Sequence, residues 1–397
     1  MRLAGLVLAA ALGAVPTVGQ LHLITGYSTE GRSDGHAASV FLVEADGTLS
    51  PVVELAPGGW NKGTIWIGVS DELRRAVVLA SGPTQTELSL LVLDLDTWTV
   101  MKTCQKREHQ IGGIQRWLFN LPGKEPAYVE RSLSGLTPEG TFGPPDLKGI
   151  ALDADAPCDE FPVRFSGSDF PNMVVPGVVS DGQSDGLYAT ADPDGSLRVV
   201  SPSHVRLGLQ VPSAMLREAA PEPGHWGSLR VVVNNSGILA LHTMLAFDPV
   251  ATGSELLLVY RRGDATWHRV PQVSQLMWCT RGFGGYLVIS EAQFKDDKLK
   301  ESVGAEEWGP ELKSGLAQLR FAFTGRLHIY DTETEKAYCI ETKQADSEVL
   351  FIDHRAVYYR VGDRLYSAPI AKTGLGEPKL LARGRAVREA HWAFITR

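Results

Sequence analysis

Short apolar runs separated by turn-forming residues set the pattern of this chain. RAVVLAS at 75–81 and LSLLVLDLD at 88–96 are short runs dominated by Val and Leu, and Gly, Asp, Asn, Ser or Pro punctuates the gaps between such runs. That combination predicts strands joined by turns, because a helix would repeat its apolar positions every three or four residues. Helical character is confined to 214–220 and to the polar stretch 294–319, both of which read as inserted loops with a turn or two of helix.

The strands fall into groups of four. Regular groups occupy 64–104, 229–272, 276–343 and 348–384, and in each the first two strands are joined by a tight turn: DELRR, NNSG, GFGG and DHR. Two less regular groups occupy 115–165, which carries a Pro/Gly insertion, and 173–212, where DPDG marks a hairpin. At the N-terminus only three strands are present (21–27, 39–44, 49–55), while the last segment, REAHWAFIT at 388–396, is a strand with no neighbours of its own. Pairing that strand with the three N-terminal ones completes a seventh group and removes the exposed edges. The expected fold is therefore all-β: a single closed β-propeller of seven four-stranded blades over 20–397, with insertions near 131–147, 211–227 and 291–320.

The leader changes the address. Arg2 precedes an apolar run from Leu3 to Val15, and small residues lead to Gln20. This is the order of a cleaved signal peptide, predicted to comprise 1–19. At about 13 residues the run is shorter than the roughly 20 that span a bilayer. The mature chain is expected to be secreted or periplasmic, without a transmembrane segment. The 397 residues carry a net charge of −8 with no block of Lys and Arg, which argues against a nucleic-acid partner. Cys104, Cys158, Cys279 and Cys339 are widely spaced, without a CxxC pair or zinc-ligand spacing. In an oxidising compartment they allow three disulfide connectivities, and buried free thiols are an equal alternative.

LHLITGYS at 21–28 followed by SVFLVEADGTLSPVVEL at 39–55 resembles the opening blade of secreted β-propellers of the broad lactonase and quinoprotein-like kind. The repeat pattern extends the resemblance over the mature chain. It implies a propeller with a ligand over its central channel; no catalytic residue is carried over, since the later His-Pro and Pro-Thr-Gly-Tyr-Leu-Tyr type signatures of those proteins are missing.

In such a blade the loops from second to third strand and from one blade to the next emerge on one face. The former carry Arg32, Asp34 and His36, then Glu130 and Arg131, then His242 and Asp248, then Glu291. The latter carry Trp60, Asn61 and Lys62, His109, Asp169, and His225 with Trp226. His242 and His225 are the candidate bases and Arg131 the candidate anion clamp, since imidazole titrates near neutrality and guanidinium neutralises developing negative charge. His36, Asp34, Arg32, Trp60, Asn61, His109 and Trp226 are the candidate ligand-binding set. His22, His328 and His391 lie within strands and are assigned to packing. GRSDG and GQSDG lack the ligand density of a calcium loop and read as turns. The NNS at Asn234 fits a glycosylation acceptor.

No phosphate loop, nucleophile elbow or zinc motif is present, and no motif names a cofactor. The leading expectation is a propeller that binds a small molecule, glycan or protein at its loop-rich face. The alternative is a hydrolase or lyase acting on a lactone, ester or acidic glycan through a His base and an Arg anion clamp.

Overall fold

The computed structural model describes residues 19–25, 39–54, 64–70, 73–81, 87–107, 114–119, 126–132, 146–163, 178–179, 188–191, 197–200, 206–211, 228–233, 239–244, 257–261, 266–270, 276–283, 285–294 and 321–396. Nearly all of their regular structure is β, in seven antiparallel sheets among the described residues. Sheet one joins the two ends of the chain: Ala390–Ile395 pairs with Leu21–Thr25, which is followed outward by Ser39–Val43 and Leu49–Glu54. Sheet two runs Thr64–Ser70, Arg75–Ser81, Glu87–Asp94, Val100–Arg107, and sheet three Ile114–Phe119, Ala127–Ser132, Asp146–Ala151, Phe161–Pro162. Sheet four contains Tyr188–Ala191, Leu197–Val200 and Arg206–Val211; sheet five contains Ser228–Val233, Leu239–Met244, Leu257–Arg261 and Thr266–Arg269.

Sheet six is built from Leu276–Phe283, Tyr286–Phe294, Phe321–Asp331 and Lys336–Glu341. Sheet seven is built from Ser347–Ile352, Ala356–Val361 and Arg364–Ala371, with both Gly374–Leu375 and Lys379–Arg383 paired to the last of these. Several sheets that follow one another in the chain touch. Thr64–Ser70 lies against Ile114–Phe119, Tyr188–Ala191 against Ser228–Val233, and the latter against Leu276–Phe283; Ser347–Ile352 meets both Phe321–Asp331 and Ala390–Ile395.

Burial explains why the strands read as continuous apolar runs rather than as clean alternation. Side chains of a strand point alternately to its two faces. In sheet two, Ala76 and Val78 join the core cluster that contains Ile24 and Val40 of sheet one. Their neighbours Val77 and Leu79 join the cluster that contains Leu118, Tyr128 and Ile150 of sheet three. Sheet one behaves the same way: Ile24, Trp392 and Phe394 pack into the first cluster, while Leu23 and Ala393 pack with Leu350 and Leu365 of sheet seven. A sheet covered on both faces needs apolar residues at both parities.

Three features depart from the expected strand plan. Val178–Val179, expected to open the group at 173–212, instead pairs with Ile67 and Gly68 of sheet two, leaving three described strands in sheet four. In sheet six the second and third strands run further than their pattern foretold: Phe294 pairs with Phe321 and Ala292 with Phe323 beyond a bulge at Ser290, so the insertion there begins after Phe294. Finally, Arg385–Arg388 forms one helical turn before the last strand. Gly384, at φ 135°, allows the chain to enter it, and fully buried Val387 anchors it against Leu23 and Leu365.

The outer strand of sheet two is tied to sheet three by chemistry that its sequence, MKTCQKR, presents at every second position. Cys104 forms a disulfide with Cys158. On one side of it Lys102 donates to the carbonyls of Ala151 (2.8 Å), Pro157 (3.2 Å) and Asp153 (3.3 Å). On the other, Lys106 pairs with Glu130 and with Glu160 at 2.7 Å. Burial alone would lower the Lys106 ammonium, but the two carboxylates outweigh it and hold it above its usual value. Burial likewise opposes ionisation of Glu160, and Lys106 and Lys148 overcome it and hold the carboxyl below its usual value.

His22 is packed as its place in a strand implied. It is 3% exposed, its ring centroid lies 4.6 Å from that of Trp98, and Nδ1–H donates to the Gln20 carbonyl at 3.1 Å. Burial holds the imidazole below its ordinary value despite that carbonyl. With the folded value depressed, the unfolded chain binds the proton more readily, so the contribution of neutral His22 is complete above about pH 6.5 and is lost as pH falls through the folded value. His22→Phe is expected to flatten the fall in melting temperature between pH 7 and 5; an unchanged slope in a pH series of melts would exclude this role.

Candidate functional site

One end of the sheets is organised by aspartates. In sheet two Asp94 Oδ1 accepts from the backbone N–H groups of Asp96 (2.8 Å) and Thr97 (2.9 Å), and in sheet six Asp331 Oδ1 accepts from Glu333 (2.9 Å) and Thr334 (3.2 Å). Both turns close through a residue at positive φ, Trp98 and Glu335. Asp353 in sheet seven accepts from Arg355 and Ala356, both at 2.7 Å, and Asp46 in sheet one from Thr48 at 2.9 Å. These are Asx turns, favoured because a short carboxylate can satisfy the amides that a sharp reversal leaves without strand partners. Adjacent turns are tied together by one further rung of each ladder: Leu95 N–H to Arg74 O, Thr332 N–H to Gly285 O, Ile370 N–H to Arg355 O. The aspartates thus fix the turns and leave negative charge on them.

Turns of sheets one, two, six and seven converge around a cavity of about 1570 Å³. Phe283 and Phe351 line it and meet edge to face at 6.2 Å, and Phe283 also meets Trp392 at 5.7 Å. Tyr286 and Tyr358 add two phenols. Charged side chains on the lining are Glu44 and Asp46 from sheet one, Asp331 and Glu333 from sheet six, and Asp353 from sheet seven, against Arg74, Arg355 and Lys379. Arg74 is already engaged: its guanidinium lies 4.5 Å from the centroid of Phe394 and bonds Asp96 through Nη2 (2.5 Å) and Nε (3.1 Å). Burial, and then the charges of Asp331, Glu333 and Asp353 together with Tyr338, push the Tyr286 hydroxyl above its ordinary value. Tyr358 is raised by burial and Asp353, with Arg355 opposing.

The residues favoured by sequence are distributed differently. Arg32, Asp34, His36, Trp60, Asn61, His109, His225 and Trp226 lie outside the described residues. His242 is described through its backbone, opposite Arg230 and Leu257, and Arg131 likewise, opposite Gln115 and Leu147. Both stand toward the end of a second strand that leads into the second-to-third loop, remote from the first-to-second turn. The cavity is formed at the other end, by first-to-second and third-to-fourth turns. EADGT, DLDT, DTET and DHR carry the signal in the sequence, a recurring turn aspartate with a second charge two positions away.

A second polar cluster occupies sheet six. His328, 8% exposed, meets Glu291 through Nε2 and Oε2 at 3.2 Å, and Arg326 reaches Glu341 at 3.2 Å and Glu291 at 3.8 Å. Cys339 stands directly opposite His328 on the next strand as a free thiol. The thiol is exposed rather than buried, and partial desolvation with the carboxylates of Glu341 and Glu291 raises it against the opposing effect of Arg326, so the nucleophilic thiolate is suppressed. The arrangement ties strands together; it does not build a nucleophile. Among the described residues no three His, Cys, Asp or Glu side chains converge as metal ligands, and no helix is long and apolar enough to cross a membrane.

No family model matches the chain, and no curated protein matches it. Similar solved structures include Hsv2 of Kluyveromyces lactis, at 10% identity and a TM-score of 0.41 over 92% of this chain and 99% of that one. TolB from Acinetobacter baumannii has 9% identity and a TM-score of 0.37 over 92% and 67%. The β-propeller domain of Cps50 (Swd1) from Myceliophteria thermophila has 10% identity and a TM-score of 0.38 over 88% and 93%.

Proposed function

We propose that the chain is an exported seven-bladed β-propeller, its ring closed by the pairing of Ala390–Ile395 with Leu21–Thr25, and that it works by binding a ligand or partner at the axis. The observation that carries the binding role is the cavity at which turns of four sheets meet, wide, lined by aromatic rings and ringed by charge. A concave site with an apolar floor and a few convergent polar groups is what a binding surface requires. Export is supported by the leader pattern at 1–19 and by the Cys104–Cys158 bridge, which persists only where thiols are not kept reduced.

Gly285 offers a clean block. A Cβ built there meets nothing closer than 3.8 Å, so Gly285→Trp sets a bulky ring on the lining without disturbing the backbone. A thermal-shift screen of peptides, glycans, lactones and uronic-acid polymers is expected to give ligands whose stabilisation disappears in Gly285→Trp and persists in His242→Ala. Ligands lost in His242→Ala and retained in Gly285→Trp would move the site to the opposite, loop-bearing face; turnover of a lactone or uronic-acid polymer abolished by His242→Ala would establish a hydrolase or lyase instead.

A further inference from the structure

We propose that the Tyr286 end of the cavity receives the guanidinium or ammonium group of an arginine- or lysine-bearing peptide segment from a partner protein. The proposal rests on the cavity being the binding site and names what it binds. Five carboxylates line the cavity against three cations, and one of those cations, Arg74, is neutralised by Asp96. The imbalance is concentrated rather than spread. Asp331 and Glu333 come from one sheet and Asp353 from the next, all three line the cavity together with Tyr286, and their charges help to raise its hydroxyl. A cation placed there meets three carboxylates against one guanidinium, that of Arg355 on the Asp353 turn, at the edge of a low-dielectric wall where Coulomb attraction is stronger than in bulk water.

The lining also supplies ring faces. Phe283, Tyr286, Phe351 and Tyr358 bring aromatic surface to the same end, and a ring face attracts a guanidinium or ammonium group. The protein already uses this chemistry on its own side chain: Arg74 lies over Phe394 while bonding a turn carboxylate. An acidic turn beside an aromatic ring is the pattern repeated, with Asp331, Glu333 and Asp353 beside Tyr286. An organic cation fits better than a metal ion, because Asp331 is buried with both oxygens engaged by its own turn, Asp353 spends one oxygen on turn amides, and no three ligands converge among the described residues. A peptide fits better than a small cation, because about 1570 Å³ exceeds the roughly 300–1,000 Å³ of a small-molecule site.

The test uses the purified full chain and three fluorescein-labelled peptides, alternating Gly with Arg, Glu or Ser, followed by anisotropy at about 0.15 M salt, where the Debye length is about 8 Å. The Arg peptide is expected to bind at least about ten-fold more tightly than the other two, a difference of about 1.4 kcal/mol. Glu333→Gln combined with Asp353→Asn, which keeps an oxygen acceptor for the turn, should weaken it by a similar factor. Glu341→Gln, at the opposite end of sheet six, should change it less than about two-fold, and Gly285→Trp should abolish it. Equal binding of the Arg peptide by the double variant, or an equal loss in Glu341→Gln, overturns the proposal by showing diffuse charge attraction. Preference for the Glu or Ser peptide, lost in Gly285→Trp, overturns the cation site and leaves the cavity as a binding site. If no ligand of any class responds to Gly285→Trp, both readings fall.

Discussion

Removal of residues 388–397 is expected to abolish the cooperative unfolding transition of the whole chain. The deleted strand contributes Trp392, 3% exposed, and Phe394, 1% exposed, to the core shared with sheets two and seven, and Ala393 to the interface with sheet seven. Truncating one buried aromatic costs about 3–5 kcal/mol, and a typical domain holds only about 5–15 in total. Phe394→Ala alone should therefore lower stability by about 3–5 kcal/mol, and the strand deletion by more than the domain can spare. The loss is also topological, since the inner edge of Leu21–Thr25 would be left without a partner. A circular permutant provides the complementary case. Thr396 N–H donates to the Gln20 carbonyl at 3.0 Å, and Gln20 N–H to Thr396 Oγ1 at 3.2 Å, so a short linker between them would form the first-to-second turn that sheet one lacks. With new ends opened within 295–320, that permutant should melt close to the parent. Unchanged melting of the truncated protein, or collapse of the permutant, would refute closure through these strands.

The second large effect concerns the Cys104–Cys158 bridge. It closes a loop with a sequence separation of 54 residues, for which chain entropy gives a stabilisation of about 4 kcal/mol. Cys104→Ala with Cys158→Ala should lower the melting temperature by roughly 5–10 °C. The remaining contacts of the staple, Lys102 with three carbonyls and Lys106 with two carboxylates, should keep the two sheets docked and the fold intact. The other two cysteines do not bridge each other within this fold. Cys279, Ile289, His328 and Cys339 form one row across sheet six, which sets Cys279 and Cys339 three strand spacings or about 14 Å apart, well beyond the reach of a disulfide. Thiol titration of the unfolded, unreduced protein should find two reactive groups. Four would exclude the bridge, and unchanged melting of the double variant would remove its energetic role.

The strand grouping was legible in the chain because each sheet carries its own local signals: a tight turn, an apolar run, another turn. Even the pairing of the chain ends could be read, since REAHWAFIT has no neighbours in sequence and the N-terminal strands lack one. Val178–Val179 was misplaced for the converse reason. Two valines fit the edge of any sheet, and only proximity assigns them to Ile67 and Gly68. The cavity was missed although its first-to-second turns were recognised as turns, and the turn of Asp331 and Glu333 was read as part of a strand. DELRR contains Arg74, GFGG contains Gly285 and DHR contains Asp353, yet expectation placed the site on the longer loops at the other end, where His242 and Arg131 point the chain.

By itself the sequence determined the all-β character, the sheets as local hairpins, and the strand that joins the two chain ends. The first two follow from interactions between residues near in sequence and from short apolar runs punctuated by turn residues, and the third from the one partner that the N-terminal strands lack. Tertiary structure alone decided which cysteines meet, that Lys102 and Lys106 flank the bridge, and that carboxylates from three sheets surround one aromatic cavity. Distance between segments far apart in the chain determines each of those, and a strand pattern is identical whichever end of the sheet comes to lie beside its neighbours.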